Sequence, residues 1–159
     1  MANARHHRLD PPLQQALHVP SQVAVGHDAD ERATRVDHAD PSQVGTLIGR
    51  IADDGGRLDI LVNDVWGGDP LTEWDTPFWQ HDLANGIALL RNAVETHIIT
   101  SWHAAPLLAS TPGSMIVEVT DGVSDRYRGS LFYDLAKAAV IRLAVAQAED
   151  LRKQGVTVV

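Results

Sequence analysis

Residues 130–145 read Ser130-Leu131-Phe132-Tyr133-Asp134-Leu135-Ala136-Lys137-Ala138-Ala139-Val140-Ile141-Arg142-Leu143-Ala144-Val145. Apolar residues and alanines recur at helical spacing and neither Gly nor Pro interrupts them, so the stretch reads as a helix. Tyr133 and Lys137 are four apart and lie one turn apart on the same face. An ammonium beside a phenol favours the phenolate and draws the tyrosine pKa towards neutrality, which suits acid/base work. A half-buried tyrosine with a surface lysine nearby leaves the same trace, so the pair alone does not decide function.

The segments around the helix carry more. Upstream, Gly113-Ser114-Met115-Ile116-Val117-Glu118-Val119-Thr120-Asp121-Gly122 is a strand-like run that ends in small polar residues. Leu58 to Asn63 is almost continuously apolar, as a strand covered on both faces of a parallel sheet would be. Ala33 to Asp37 reads as a short strand and Val156 to Val159 as another. Asp40-Pro41 starts a helix, with Asp as N-cap and Pro at the first helical position. Val44, Leu47, Ile48 and Ile51 form its apolar stripe, and Gly55-Gly56 ends it. Gln80 to Leu108 reads as one long helix with Leu83, Ile87, Leu90, Val94, Ile98 and Trp102 as its stripe. Strands alternating with helices imply an α/β fold, with right-handed crossovers and a parallel sheet.

The order and spacing of these pieces resemble the short-chain dehydrogenase/reductase family over residues 33–159. The resemblance implies a Rossmann-like parallel sheet with helices on both faces, incomplete at both ends. It also implies NAD(H) or NADP(H) as cofactor and a small-molecule alcohol or carbonyl substrate. Tyr133 would be the general acid/base. Lys137 would lower its pKa and hold the nicotinamide ribose. Asp37 would contact the adenine, Asn63 would brace the central strands and Val65 would line the cofactor cleft. Asp121 stands where the family has a catalytic serine, twelve residues before the tyrosine, with Thr120 beside it. One of the two would contact the substrate oxygen, and Ser124 is a further hydroxyl in the loop. In the family, the helices corresponding to Gln80–Leu108 and Leu131–Lys153 pack against their copies in a partner, which implies a homodimer.

The departures are equally specific. Residues 1–32 form a divergent N-terminal segment with no Gly-x-x-x-Gly-x-Gly turn, the unit that meets a pyrophosphate with glycines and a helix N-terminus. Ala93 aligns with the family's catalytic asparagine, and Asn92 lies one residue early, a turn of about 100° on a helix. A carboxylate at position 121 would oppose phenolate formation and work against Lys137. The Pro-Gly turn and substrate region that follow the next family strand are also absent. The expectation is therefore that these 159 residues bind NAD(H) or NADP(H) weakly or not at all. The alternative to an active oxidoreductase is an inactive family fragment or pseudoenzyme that acts through association.

Composition sets the outer bounds. At 159 residues, 44% hydrophobic and 21% charged, the chain suits one soluble globular domain. No apolar run is long enough to span a bilayer. A net charge of −8 argues against nucleic acid and anionic membrane surfaces as partners. The chain contains no cysteine, which fits a cytoplasmic setting. The eight histidines show no metal-ligand spacing.

Overall fold

The computed structural model describes residues 21–27, 30–122 and 126–159. Strands β1 (Ser21–His27) and β2 (Asp30–Val36) form an antiparallel pair. Helix α1 (Pro41–Gly55) follows, then β3 (Ile60–Asn63), α2 (Leu83–Leu90), a π-helical turn (Arg91–Glu95) and α3 (Thr96–Ala109). The chain then forms β4 (Met115–Glu118), α4 (Leu131–Leu151) and β5 (Thr157–Val158). β3, β4 and β5 make one parallel sheet in that order. The fold is α/β and Rossmann-like, with the expected parallel pairing of the two central apolar strands.

Helix α1 starts and stops where its caps dictate. The Asp40 carboxylate accepts the Ser42 and Gln43 N–H groups, and Pro41 occupies the first turn, where no N–H is needed. Gly56 takes a left-handed φ of 66°, and its N–H bonds the Ala52 carbonyl to end the helix. Val44, Leu47 and Ile48 face inward and pack with Leu61, Ala104, Leu108, Ile116 and Val156. Val36, at the end of β2, joins the same core.

The strand expected at Ala33–Asp37 requires a correction. It forms within β2, but β2 pairs with β1 and not with the parallel sheet. Only two residues separate β1 from β2 in the sequence, so a local antiparallel partner is easily reached. Among the described residues, β3 is consequently an edge strand. Leu61 and Asn63 are buried, while Ile60 and Val62 on the opposite face are 57% and 59% exposed. Ala136 and Val140 of α4 border His97 of α3, which in turn bonds the chain beside Asn63 and Glu118. The described helices therefore cover the face that carries Asn63 and Glu118. The described residues supply no comparable cover over Ile60 and Val62.

The long helix over 80–108 is also reshaped. The π-helical turn at Arg91–Glu95 divides it and inserts a residue into its register. Four of the six stripe residues face outward: Leu83 is 69% exposed and Trp102 72%, with Ile87 and Ile98 also exposed, whereas Leu90 and Val94 are part-buried and pack against Leu71, Leu89, Ala93 and Ala136. The buried face is made of Gly86, Leu89, Ala93, Thr96, His97, Thr100, Ser101, Ala104 and Leu108. Small and polar groups point inward there because they find hydrogen-bond partners. Thr100, for example, bonds the Thr96 carbonyl and the His38 ring. Gly86 permits the closest approach, since a Cβ there would fall 2.2 Å from the Phe132 ring of α4.

Candidate active site

β3 and β4 end side by side, with Asn63 paired to Glu118. Their loops leave from the carboxyl edge of the sheet, where ligands bind in parallel α/β folds. The loop after β4 leads into α4, which turns Tyr133 and Lys137 back towards that edge. A small pocket forms there, lined by Val65, Trp66, Ala93, His97, Lys137 and Val140 among others.

Tyr133 is held on several sides. Its hydroxyl donates to Oδ2 of Asp121 at 2.8 Å, and Arg128 Nη2 donates to the same oxygen at 2.7 Å. The Trp74 and Trp66 rings lie 4.8 and 5.5 Å from its ring centre, and the Arg128 guanidinium lies 5.5 Å away. Partial burial, and after it the hydrogen bond and charge of Asp121, push the Tyr133 phenol above its ordinary range. Desolvation pushes the Asp121 carboxyl up and is the largest single effect. Donation by Arg128 and Tyr133 outweighs it, and the group lies below its usual range. The Asp121 carboxylate thus stands against phenolate formation by direct contact.

Lys137 reaches the pocket wall. Its ammonium sits 3.8 Å above the Trp66 ring and 5.6 Å from the centre of the Tyr133 ring. Among the described residues, no carboxylate lies within ion-pair distance of it. Thr120 turns elsewhere: its hydroxyl donates to the Lys137 carbonyl at 3.1 Å, along the helix backbone. Ala93 lines the pocket, while the Asn92 amide donates to the Gly67 carbonyl at 3.3 Å and stays outside it. Asp37 Oδ1 accepts the Ala39 N–H at 2.8 Å in the turn before α1, away from the Tyr133 cluster. Ser124 lies outside the described residues.

Asn63 and Val65 belong to a network that spacing did not reveal. Glu118, buried at the end of β4, receives His97 Nδ1 at 2.6 Å and the Ser101 hydroxyl at 3.0 Å. The Asn63 amide donates to the His97 carbonyl at 3.1 Å and to Ser101 Oγ at 3.2 Å. His97 Nε2 meets the Val65 carbonyl at 2.9 Å. A carbonyl only accepts, so Nε2 carries a hydrogen, and one further proton is shared between Nδ1 and Glu118. A charged residue inside an apolar strand, at Glu118, was the one available signal.

A family model described as Enoyl-(Acyl carrier protein) reductase matches residues 15–159. The human Dehydrogenase/reductase SDR family member 1 is 29% identical over 131 residues, covering 77% of this chain and 40% of that protein. The Mus musculus protein of the same name is 28% identical over 126 residues, with the same coverage. The chain thus spans 40% of the length of these curated relatives. A short chain dehydrogenase from Mycobacterium smegmatis superposes with a TM-score of 0.66 at 22% identity, covering 77% of this chain and 50% of that one. A short-chain type dehydrogenase/reductase from Mycobacterium ulcerans gives 0.69 at 22% identity, covering 77% and 44%. The RhlG/NADP complex of Pseudomonas aeruginosa gives 0.65 at 19% identity, covering 77% and 48%.

Removing one member of a buried, hydrogen-bonded charge pair strands the other and costs about 3–5 kcal/mol. Glu118→Ala and His97→Ala should each lower unfolding stability by about that amount. The double variant should lose clearly less than the sum, because neither buried group is left alone. Urea denaturation of the four proteins in the cycle checks this. Additive losses would mean that the two side chains do not act as a pair.

Proposed function

The chain belongs to the short-chain dehydrogenase/reductase family, and from that premise we propose that it carries the acid/base half of an NAD(P)-dependent oxidoreductase site. Its substrate would be a small alcohol or carbonyl compound. The observation that carries the reading is the placement of Tyr133 and Lys137 one turn apart on α4, with Lys137 lining a pocket at the carboxyl ends of β3 and β4 and the Tyr133 ring 5.6 Å from its ammonium. Tyr133 would exchange a proton with the substrate oxygen. Lys137 would place positive charge beside it.

The described residues suit the nicotinamide–ribose end of such a cofactor. Lys137 offers an ammonium without a carboxylate partner in ion-pair range, and Val65, Ala93 and Val140 supply apolar walls. Lys137 and Tyr133 would hold the ribose hydroxyls and Val65 would border the ring. Asn63 would keep the two strands together, and Asp37 would lie at the adenine end. The cofactor, when bound, supplies or accepts the hydride. NADP is the cofactor named for the RhlG complex, and it is the form to try first. Of the two residues at the serine position, Asp121 faces the phenol, whereas the Thr120 hydroxyl is committed to the backbone of α4.

A second reading, an inactive family member that acts through association, draws on one specific observation: the Tyr133 proton is engaged by Asp121 where the family has a serine. Isothermal titration with NADPH and NADH bears on the two readings: a dissociation constant in the low micromolar range would contradict a scaffold without a dinucleotide site. For the active reading, Tyr133→Phe removes the transferable proton and keeps the ring. It should lower kcat by about 10²–10⁴ with little change in KM. Near-normal turnover would remove Tyr133 from the mechanism.

Association follows the same family pattern. Leu83, Ile87, Ile98 and Trp102 on α2 and α3, and Leu135 and Val145 on α4, are exposed apolar side chains on the two helices expected to meet a second copy. Light scattering at micromolar concentration should give a dimer mass, and Trp102→Glu should shift it to the monomer. A monomeric wild-type chain would rule this interface out.

A further inference from the structure

We propose that Asp121, clamped by Arg128, holds Tyr133 in its phenol form and so commits the site at neutral pH to donating a proton, the carbonyl-reducing direction. This rests on the reading of Tyr133 as the acid/base group. Oδ2 of Asp121 accepts from Tyr133 at 2.8 Å and from Arg128 at 2.7 Å. A carboxylate accepts and cannot donate, so the bond exists only while Tyr133 keeps its hydrogen. A phenolate at that distance would put two negative oxygens in contact.

The rest of the carboxylate strengthens the hold. Oδ1 of Asp121 is buried and has no hydrogen-bond partner among the described residues, so Arg128 and Tyr133 are the donors this group has there. Arg128 is itself fixed at both ends, because its backbone N–H donates to Asp134 Oδ1 at 3.2 Å. The charged groups around the phenol come from three places. Asp121 and Arg128 belong to the loop after β4, Asp69 lies in the loop after β3, and Lys137 is one turn along α4. Arg128 favours the phenolate from 5.5 Å off the ring centre, while Asp121 opposes it by direct contact and Asp69 adds to the opposition; the Lys137 ammonium lies 5.6 Å from the ring centre.

The chemistry follows from the protonation state. In reduction, a bound reduced nicotinamide would supply hydride to the carbonyl carbon, whose π pair would move to oxygen. That oxygen takes the proton from Tyr133 Oη, and Tyr133 then regains a proton from water. In oxidation, Tyr133 must first be a phenolate to take the alcohol proton, and the contact with Asp121 disfavours that form. Below the displaced ionisation of Tyr133 the phenol predominates, so the proton-donating form is present throughout the neutral range.

The chain has two tyrosines, which makes the test direct. Ring-¹³C-labelled tyrosine NMR of the full chain, with Tyr127→Phe for assignment, follows each phenol through a pH titration. In wild type, Tyr133 should ionise at higher pH than the exposed Tyr127, a comparison that needs no variant of the site. In Asp121→Asn the Tyr133 ionisation constant should rise by about tenfold or more. Ionisation of Tyr133 below Tyr127, or no response to Asp121→Asn, would overturn the proposal. The titration needs no turnover, so its result stands apart from that of Tyr133→Phe on kcat. A catalytically silent Tyr133 with a high ionisation would sink the enzymatic reading and leave the hold by Asp121 intact.

Discussion

Glu118 carries a carboxylate into the interior where β3, β4 and α3 meet, and the arrangement of the site depends on how that group is satisfied. A buried charge without partners is costly enough to unfold a marginally stable domain. Its partners come from two other elements. His97 and Ser101 reach it from α3, and the Asn63 amide approaches from β3 at 3.4 Å. Satisfying one carboxylate thus fixes α3 against both strands. The far side of the His97 ring fixes the Val65 carbonyl as well, so the loop that lines the pocket is tied to the same network.

Three residues further along, a second carboxylate behaves differently. Asp121 is half exposed and faces the candidate site, where it takes Arg128 and Tyr133 as its donors. Glu118 organises the scaffold by being buried, whereas Asp121 acts on the phenol by standing next to it. Lys137 lies across from Asp121, stacked on Trp66. At the Tyr133 phenol, the direct hydrogen bond with Asp121 outweighs the more distant charge of Arg128.

Much of this was legible in the sequence because local signals and chain pairing agreed. Asp40-Pro41 and Gly56 bounded α1, and the apolar runs at 60–63 and 115–118 became adjacent parallel strands. Tyr133 and Lys137 fell on one face of α4, and Ala93 rather than Asn92 lined the pocket. The failures have physical reasons. The strand near residue 33 was assigned from its own composition, but its partner was chosen by chain proximity, and β1 lies two residues away. On α2 and α3 the largest apolar residues, Leu83, Ile87, Ile98 and Trp102, do not mark the buried face. There the interior is lined by His97, Ser101 and Thr100, whose polarity is offset by bonds to groups far away in sequence. Long-range hydrogen bonding of that kind leaves no periodic trace, and Glu118 inside an apolar strand was the only hint of it.

The claim on which the site rests is that His97 donates to the Val65 carbonyl while sharing its other proton with Glu118. Long-range ¹H–¹⁵N NMR of the His97 ring tests it most directly. The account predicts a hydrogen on Nε2 that exchanges slowly with solvent and a second, strongly hydrogen-bonded proton at Nδ1 that disappears in Glu118→Gln. A ring with a bare Nε2, or one whose Nε2 hydrogen exchanges as fast as that of a surface histidine, would contradict it.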